Sequence, residues 1–226
     1  MLNIPPSQTR FEAAYEALCD SIVDGTLAPG THIVQEEIAA QIGVSRQPIQ
    51  QALALLKSQG LLVESKSRGL YVAELNPSET RARFQVRAAL ERVAVHEASI
   101  KANSDSDFAQ AVRSEGEAIL TKGENLVANR QFKEAVAEDI EFHSFLCRVS
   151  GNHLLQPTLQ VHWLYIRQVM MAVVLYADRG PLVWHEHRTI LDAVCDGRAE
   201  EAAARMATHI YGSGGALVTA LERMSL

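Results

Sequence analysis

The chain holds 226 residues, enough for one large domain or two modest ones, and for a core that needs no disulfide or metal merely to form. With 47% apolar and 21% charged residues it is not a disordered or low-complexity chain. No apolar run approaches the roughly 18 residues that a membrane span needs. A net charge of −6 gives no bulk attraction to nucleic acid, so a nucleic-acid partner must be argued from local pattern.

The opening MLNIPPSQTRFEAAYEAL lacks a charged segment followed by an apolar one, so no signal peptide and a cytoplasmic location are expected. Cys19, Cys147 and Cys195 are too scattered for a disulfide framework or a thiolate metal site, and read as buried free thiols. Helical periodicity predicts helices over 9–24, 35–42, 46–58, 78–102, 105–121, 129–149, 153–177, 182–196 and 198–222. The exception is 61–73, where two short apolar runs flank a polar, glycine-containing turn and predict a hairpin. Asn76-Pro77-Ser78 then marks a boundary, with Ser78 as the cap of the next helix. Two domains are expected, 1–75 and 76–226.

Within the first, Ile38, Ala39 and Ile42 face inward, Gly43 permits a sharp reversal, Ser45 is an N-cap, and Pro48 falls in the first turn. Ile49, Ala52, Leu53 and Leu56 form one buried face of the helix that follows. Its other face carries Arg46, Gln47, Gln50 and Gln51, near the helix start, where a helix-turn-helix reads base edges. Glutamine can bridge adenine N6 and N7, and arginine can bridge guanine O6 and N7 or hold a phosphate. Lys66 and Arg68 at the hairpin tip would form a wing on the DNA backbone.

The run IVDGTLAPG, IGVSRQP, QGLL and RGLYV over residues 11–75 resembles the winged helix of the GntR family of transcription regulators. The resemblance implies binding of double-stranded DNA at a palindromic operator by a homodimer. Gln50 departs from the family pattern, where an arginine typically adds a DNA contact. Residues 1–75 hold five lysines and arginines (Arg10, Arg46, Lys57, Lys66, Arg68) against eight acids. DNA affinity is therefore expected to be modest per protomer and to depend on dimer formation.

In the second domain, Asp139 and His143 lie four apart on the apolar stripe of Phe132, Val136 and Leu146, and so project together. His187 shares a face with Ile190, Leu191 and Val194, and His209 with Ala202 and Met206. Each histidine alone also reads as a core residue with one hydrogen bond. Four such groups unpaired inside one bundle would be costly, and a divalent metal resolves that cost. The segments DIEFHSFLCRVSGNHLL and EHRTILDAVCDGRAEEAAARMATHI resemble the FCD effector domain of the FadR-like GntR branch. That resemblance implies a metal held by Asp139, His143, His187 and His209. Zinc, nickel, iron and manganese all suit such donors.

Arg87 reads either as a countercharge for an anionic effector or as the partner of Glu91 one turn on. His162 reads as effector-facing or as core. Gly212-Ser213-Gly214-Gly215 follows no strand, so it is no phosphate loop and is expected to loosen or kink the last helix.

The expected fold is mainly α: an N-terminal winged helix-turn-helix followed by an all-helical antiparallel bundle. The expected function is a ligand-responsive transcription regulator, a repressor, whose metal-containing domain binds a small carboxylate and alters operator binding. The alternative is a metal-dependent enzyme acting on a small carboxylate with a DNA-binding head attached.

Overall fold

A computed structural model describes residues 9–65, 69–173 and 180–224. The chain divides into two compact units, Met1–Leu75 and Asn76–Leu226. The first is a winged helix-turn-helix: α1 (Arg10–Val23), β1 (His32–Ile33), α2 (Gln35–Ile42), α3 (Arg46–Ser58), β2 (Leu62–Glu64) and β3 (Leu70–Val72). Thr9 opens α1 with a reciprocal capping box to Glu12. Leu18 and Ile22 of α1, Ile38 of α2, and Ile49, Leu53 and Leu56 of α3 supply its buried core.

Gly43 ends α2 in the left-handed conformation, at φ 75°, and makes the sharp turn into α3. Ser45 stands at the N-cap of α3 as expected, but its side chain makes no capping hydrogen bond; only its extended backbone serves the start. The hairpin is antiparallel, pairing Leu62 with Val72 and Glu64 with Leu70. The sheet also has a strand the sequence did not predict. β1 pairs His32 with Tyr71 on the far side of β3, giving the order β1-β3-β2. Two residues carry no periodicity, so such a strand exists only through its distant partner.

The second unit is an antiparallel helical bundle of α4 (Pro77–Ser104), α5 (Ser106–Ala128), α6 (Phe132–Val149), α7 (Leu155–Val173), α8 (Gly180–Cys195) and α9 (Ala199–Met224). Residues 174–177 of the predicted seventh helix lie outside the described residues. The cap of α4 is Asn76 rather than Ser78: its Oδ1 accepts from the Ser78 and Glu79 amides at 2.8 and 3.1 Å, and Pro77 takes the first helical position. The Tyr165 hydroxyl of α7 accepts from the Asn76 amide at 3.1 Å, fixing this start within the bundle. α4 packs against all five other helices, burying Phe84, Ala88, Ala94, Val95 and Ala98.

Gly116, Gly123 and Gly214 inside the helices serve close approach rather than bending. α9 continues unbroken through 212–215, against expectation, because Gly214 lies under Phe84, where a Cβ would come within 2.7 Å of the ring. α5 likewise continues past residue 121, and a Cβ on Gly123 would fall 2.0 Å from the Trp184 ring. Gly123→Ala should therefore lower stability by about 1–3 kcal/mol through overpacking, despite alanine's better helix propensity. Equilibrium urea denaturation checks this, and an unchanged or raised midpoint would contradict the packing.

Cys19, Cys147 and Cys195 are buried and in no disulfide, as expected. No helix among the described residues is long and apolar enough to cross a membrane.

Candidate functional site

Two surfaces carry chemistry, one in each unit. On α3, Pro48, Ile49, Ala52 and Leu53 are buried, which turns Arg46, Gln47, Gln50 and Gln51 to solvent near the helix start. Arg46 pairs with Glu36 of α2 at 2.7 Å, with both side chains mostly exposed. Such a pair contributes at most about 1 kcal/mol, so it does not hold the guanidinium back from a phosphate. Lys66 and Arg68 lie outside the described residues.

In the bundle, His143 of α6, His187 of α8 and His209 of α9 are all buried and offer nitrogens lying within 4.8 Å of one another. His187 Nε2 lies 3.1 Å from His209 Nε2 and 3.5 Å from Asp139 Oδ1. Asp139 Oδ2 is 3.9 Å from His143 Nε2. The i, i+4 spacing on α6 thus brings Asp139 and His143 to one place, and α8 and α9 deliver the other two imidazoles to it. Burial, and then the neighbouring His209 and His143, push His187 well below the usual histidine range, so its imidazole stays neutral. Burial also lowers His209, against the opposing pull of Glu186.

Two carboxylates outside this set determine which nitrogens are free. Glu186, next to His187 in the chain, reaches across to α9 and accepts from His209 Nδ1 at 2.8 Å. Glu91 of α4 is in direct contact with His143 Nδ1 through Oε2. With the protons of both rings on Nδ1, the Nε2 lone pairs of His143 and His209 turn toward His187 and Asp139. Neither carboxylate was assigned a role at the centre from sequence. Glu91 was visible only as a possible partner of Arg87, and Glu186 had no helix-mate to reveal it.

Arg87 Nε donates to Glu91 Oε1 at 2.8 Å, and the two side chains are only 3% and 1% exposed. The guanidinium lies over the Trp163 ring, 4.3 Å from its centroid. Burial alone would raise the Glu91 carboxyl, but Arg87 and His143 outweigh it and hold the pKa at about 2. Yet Arg87 also keeps one nitrogen, NH2, buried without a hydrogen-bond partner. The pairing with Glu91 is thus present through Nε, and NH2 is left over.

A cavity of about 650 Å³ opens beside these groups, lined in part by Arg87, Asp139, His143 and His209. That size is ordinary for a small-molecule site. His162 is not among its lining residues; it lies half-buried on α7, with Nδ1 3.5 Å from Arg83.

The donor set fits a divalent ion. Ligand nitrogens about 2.1 Å from a common ion stand roughly 3 Å apart, as His187 and His209 do. The Nε2 atoms of His143 and His209, the Asp139 carboxylate beside them and the two further carboxylates behind the rings together favour a cation at this point. The buried histidine triad can therefore hold a metal ion.

The match with known proteins covers both units. Residues 11–72 match the model of bacterial regulatory proteins of the gntR family, and residues 82–212 match the FCD domain. An HTH-type transcriptional regulator in an unstable DNA locus of Streptomyces ambofaciens is 26% identical over 90% of this chain and 83% of its own. The HTH-type transcriptional repressor RspR of Escherichia coli is 24% identical over 89% and 86%. The Nta operon transcriptional regulator of Aminobacter aminovorans is 28% identical over 80% and 82%. Among solved structures, E. coli McbR/YncC superposes with a TM-score of 0.77 at 17% identity, covering 96% of this chain and 99% of that one, and shares the fold. With a gntR-type helix-turn-helix ahead of a matched FCD domain, the chain belongs to the GntR family of bacterial transcription regulators.

Proposed function

We propose that this regulator is a metal-assisted sensor of a small organic acid, acting as a repressor whose grip on a palindromic operator changes when the acid binds. One observation carries the reading: three buried imidazoles converge beside Asp139, and Asp139, His143 and His209 of this cluster line a cavity together with Arg87, whose NH2 has no hydrogen-bond partner. Asp139, His143, His187 and His209 would hold the ion, whose remaining positions supply a Lewis-acidic seat for a carboxylate oxygen. Arg87 offers the complementary charge. The repressor role is supported by the name of the E. coli relative, at 24% identity.

α4 carries both Arg87 and Glu91 and begins at Pro77, shortly after the wing strand ends at Val72. It is the element we expect to transmit occupancy of the cavity to the DNA-binding unit. The acid shifts the equilibrium only insofar as it prefers one DNA-binding state over the other. Val86, Val93 and Ile100 recur at seven-residue intervals on α4 and stay exposed, an apolar stripe suited to packing in a homodimer.

Metal analysis of the purified protein, followed by fluorescence anisotropy on its own promoter DNA with organic acids added, tests this. Bound metal and acid-dependent release are expected; metal-free protein that no acid affects would end the sensing half of the proposal. On the DNA side, Arg46→Ala should weaken binding to all sequences alike and reduce the slope of log affinity against log salt by about 1. Gln50→Ala should instead relax preference at one base position by about 1–3 kcal/mol. If Gln50→Ala left sequence preference unchanged, it would not be a base reader.

A further inference from the structure

We infer that the acid taken by this cavity has an apolar body, aliphatic or aromatic, with a single carboxylate head; this rests on the effector reading above. Among the described residues, the polar lining of the cavity other than Arg130 gathers in one neighbourhood. Asp139, His143 and His209 belong to the imidazole cluster, and Arg87 is tied to it through Glu91, which contacts His143. Ser213 follows His209 by four residues on α9 and so lies one turn along on the same face.

The Ser213 Oγ is buried and has no hydrogen-bond partner. This is unusual in a helix, where such hydroxyls donate to the carbonyl one turn back, as Ser99 does to Val95 and Thr208 to Ala204. Two donors, Arg87 NH2 and Ser213 Oγ, are thus left unpaired beside the same cluster. Both residues line the cavity, so a carboxylate lodged between them would supply an acceptor for each donor, which is costly to leave unpaired.

The rest of the described lining has a different character. Val127, Phe132, Val136, Met170, Val173 and Leu217 face the space, offering contact area and no side-chain hydrogen bonds. Arg130 also lines it, but is exposed, so its charge is screened and discriminates weakly. A hydroxylated or polycarboxylic body would be stripped of water there without replacement partners among these residues. A methylene buried there instead strengthens binding about fourfold.

The test is calorimetric titration of the full-length protein, as purified, with butanoate, hexanoate, octanoate and phenylacetate, against citrate, malate and gluconate. Affinity should rise about fourfold per methylene along the straight-chain series. Hexanoate should exceed gluconate by at least tenfold, since an apolar wall discriminates against added hydroxyls by up to about a hundredfold. Leu217→Ser should flatten the chain-length series while leaving butanoate nearly unchanged. Ser213→Ala should weaken every bound acid alike, by about tenfold.

A flat series, or preference for citrate, malate or gluconate, would overturn the apolar-body inference and leave the organic-acid reading intact. If no acid of either group binds, both fall. Leu217→Ser protein that keeps the wild-type series would also count against the inference, because the body would then lie elsewhere.

Discussion

His187→Ala protein is expected to purify without its divalent ion and to give the same thermal midpoint with and without chelator. Wild-type protein should lose stability on chelation. An ion bound only by the folded state stabilises by about 2.7 kcal/mol when present at a hundred times its dissociation constant, and the variant forfeits that amount. His187 is the best position for the test because it is fully buried and its Nε2 approaches both His209 Nε2 and Asp139 Oδ1. Release of DNA by organic acids should be lost together with the metal. If the variant keeps its ion and its response, the centre lies elsewhere.

The pH dependence of metal-free protein follows from the same burial. His187 is held below its unfolded value of about 6.5, so the unfolded chain takes up its proton first as pH falls. Stability from this group is intact above about 6.5 and declines as pH drops below it. Metal affinity should decline over the same range, because protonated imidazole cannot ligate. Denaturant midpoints of chelated protein measured from pH 8 to pH 5 check the sign; midpoints that rise on acidification would contradict it.

Glu91 carries the second large effect. Glu91→Ala would leave the Arg87 guanidinium buried without its Nε acceptor, and His143 Nδ1 without its carboxylate. Removing one partner of a buried ion pair costs about 3–5 kcal/mol, enough to unfold many domains. The more informative variant is Glu91→Gln. Its amide oxygen can still accept from Arg87, which turns the NH2 group toward His143. Nδ1 must then accept, and the ring proton moves to Nε2, the atom needed for the ion. We expect folded protein with metal affinity reduced about 10–100-fold. Nitrogen chemical shifts of His143 in metal-free protein should report the changed tautomer. Unchanged affinity in folded Glu91→Gln would show that Glu91 matters only for packing. In the wild type, the pKa of about 2 means that the stability contributed by Glu91 is fully present above its unfolded value, near 4.3, and is lost as pH falls toward 2.

The glutamates show where pattern reading stopped. Asp139 and His143 were legible because an i, i+4 pair on an apolar stripe must project together. His187 and His209 were each legible as a polar group on a buried face, and the family resemblance joined them to the pair. Glu186 was not, because helical geometry turns it away from its neighbour His187 and its partner sits on α9. His162 shares the apolar stripe of α7, yet is not among the residues lining the cavity. A stripe says which side of a helix is buried and nothing about what faces it.

The linear pattern of residues determined the two-part organisation, most helix positions, the helix-turn-helix with its exposed Arg46, Gln47, Gln50 and Gln51, and the buried acid and imidazoles. All of these follow from interactions within about one helical turn or from alternation along a strand. Only the packed structure decided that β1 exists, that Gly123 and Gly214 are clearances for Trp184 and Phe84 rather than hinges, and that Glu91 and Glu186 aim the histidine lone pairs. It also left Arg87 NH2 and Ser213 Oγ unpaired in residues that line the cavity. Each of these depends on contacts between residues far apart in the chain, and no local periodicity encodes such a contact.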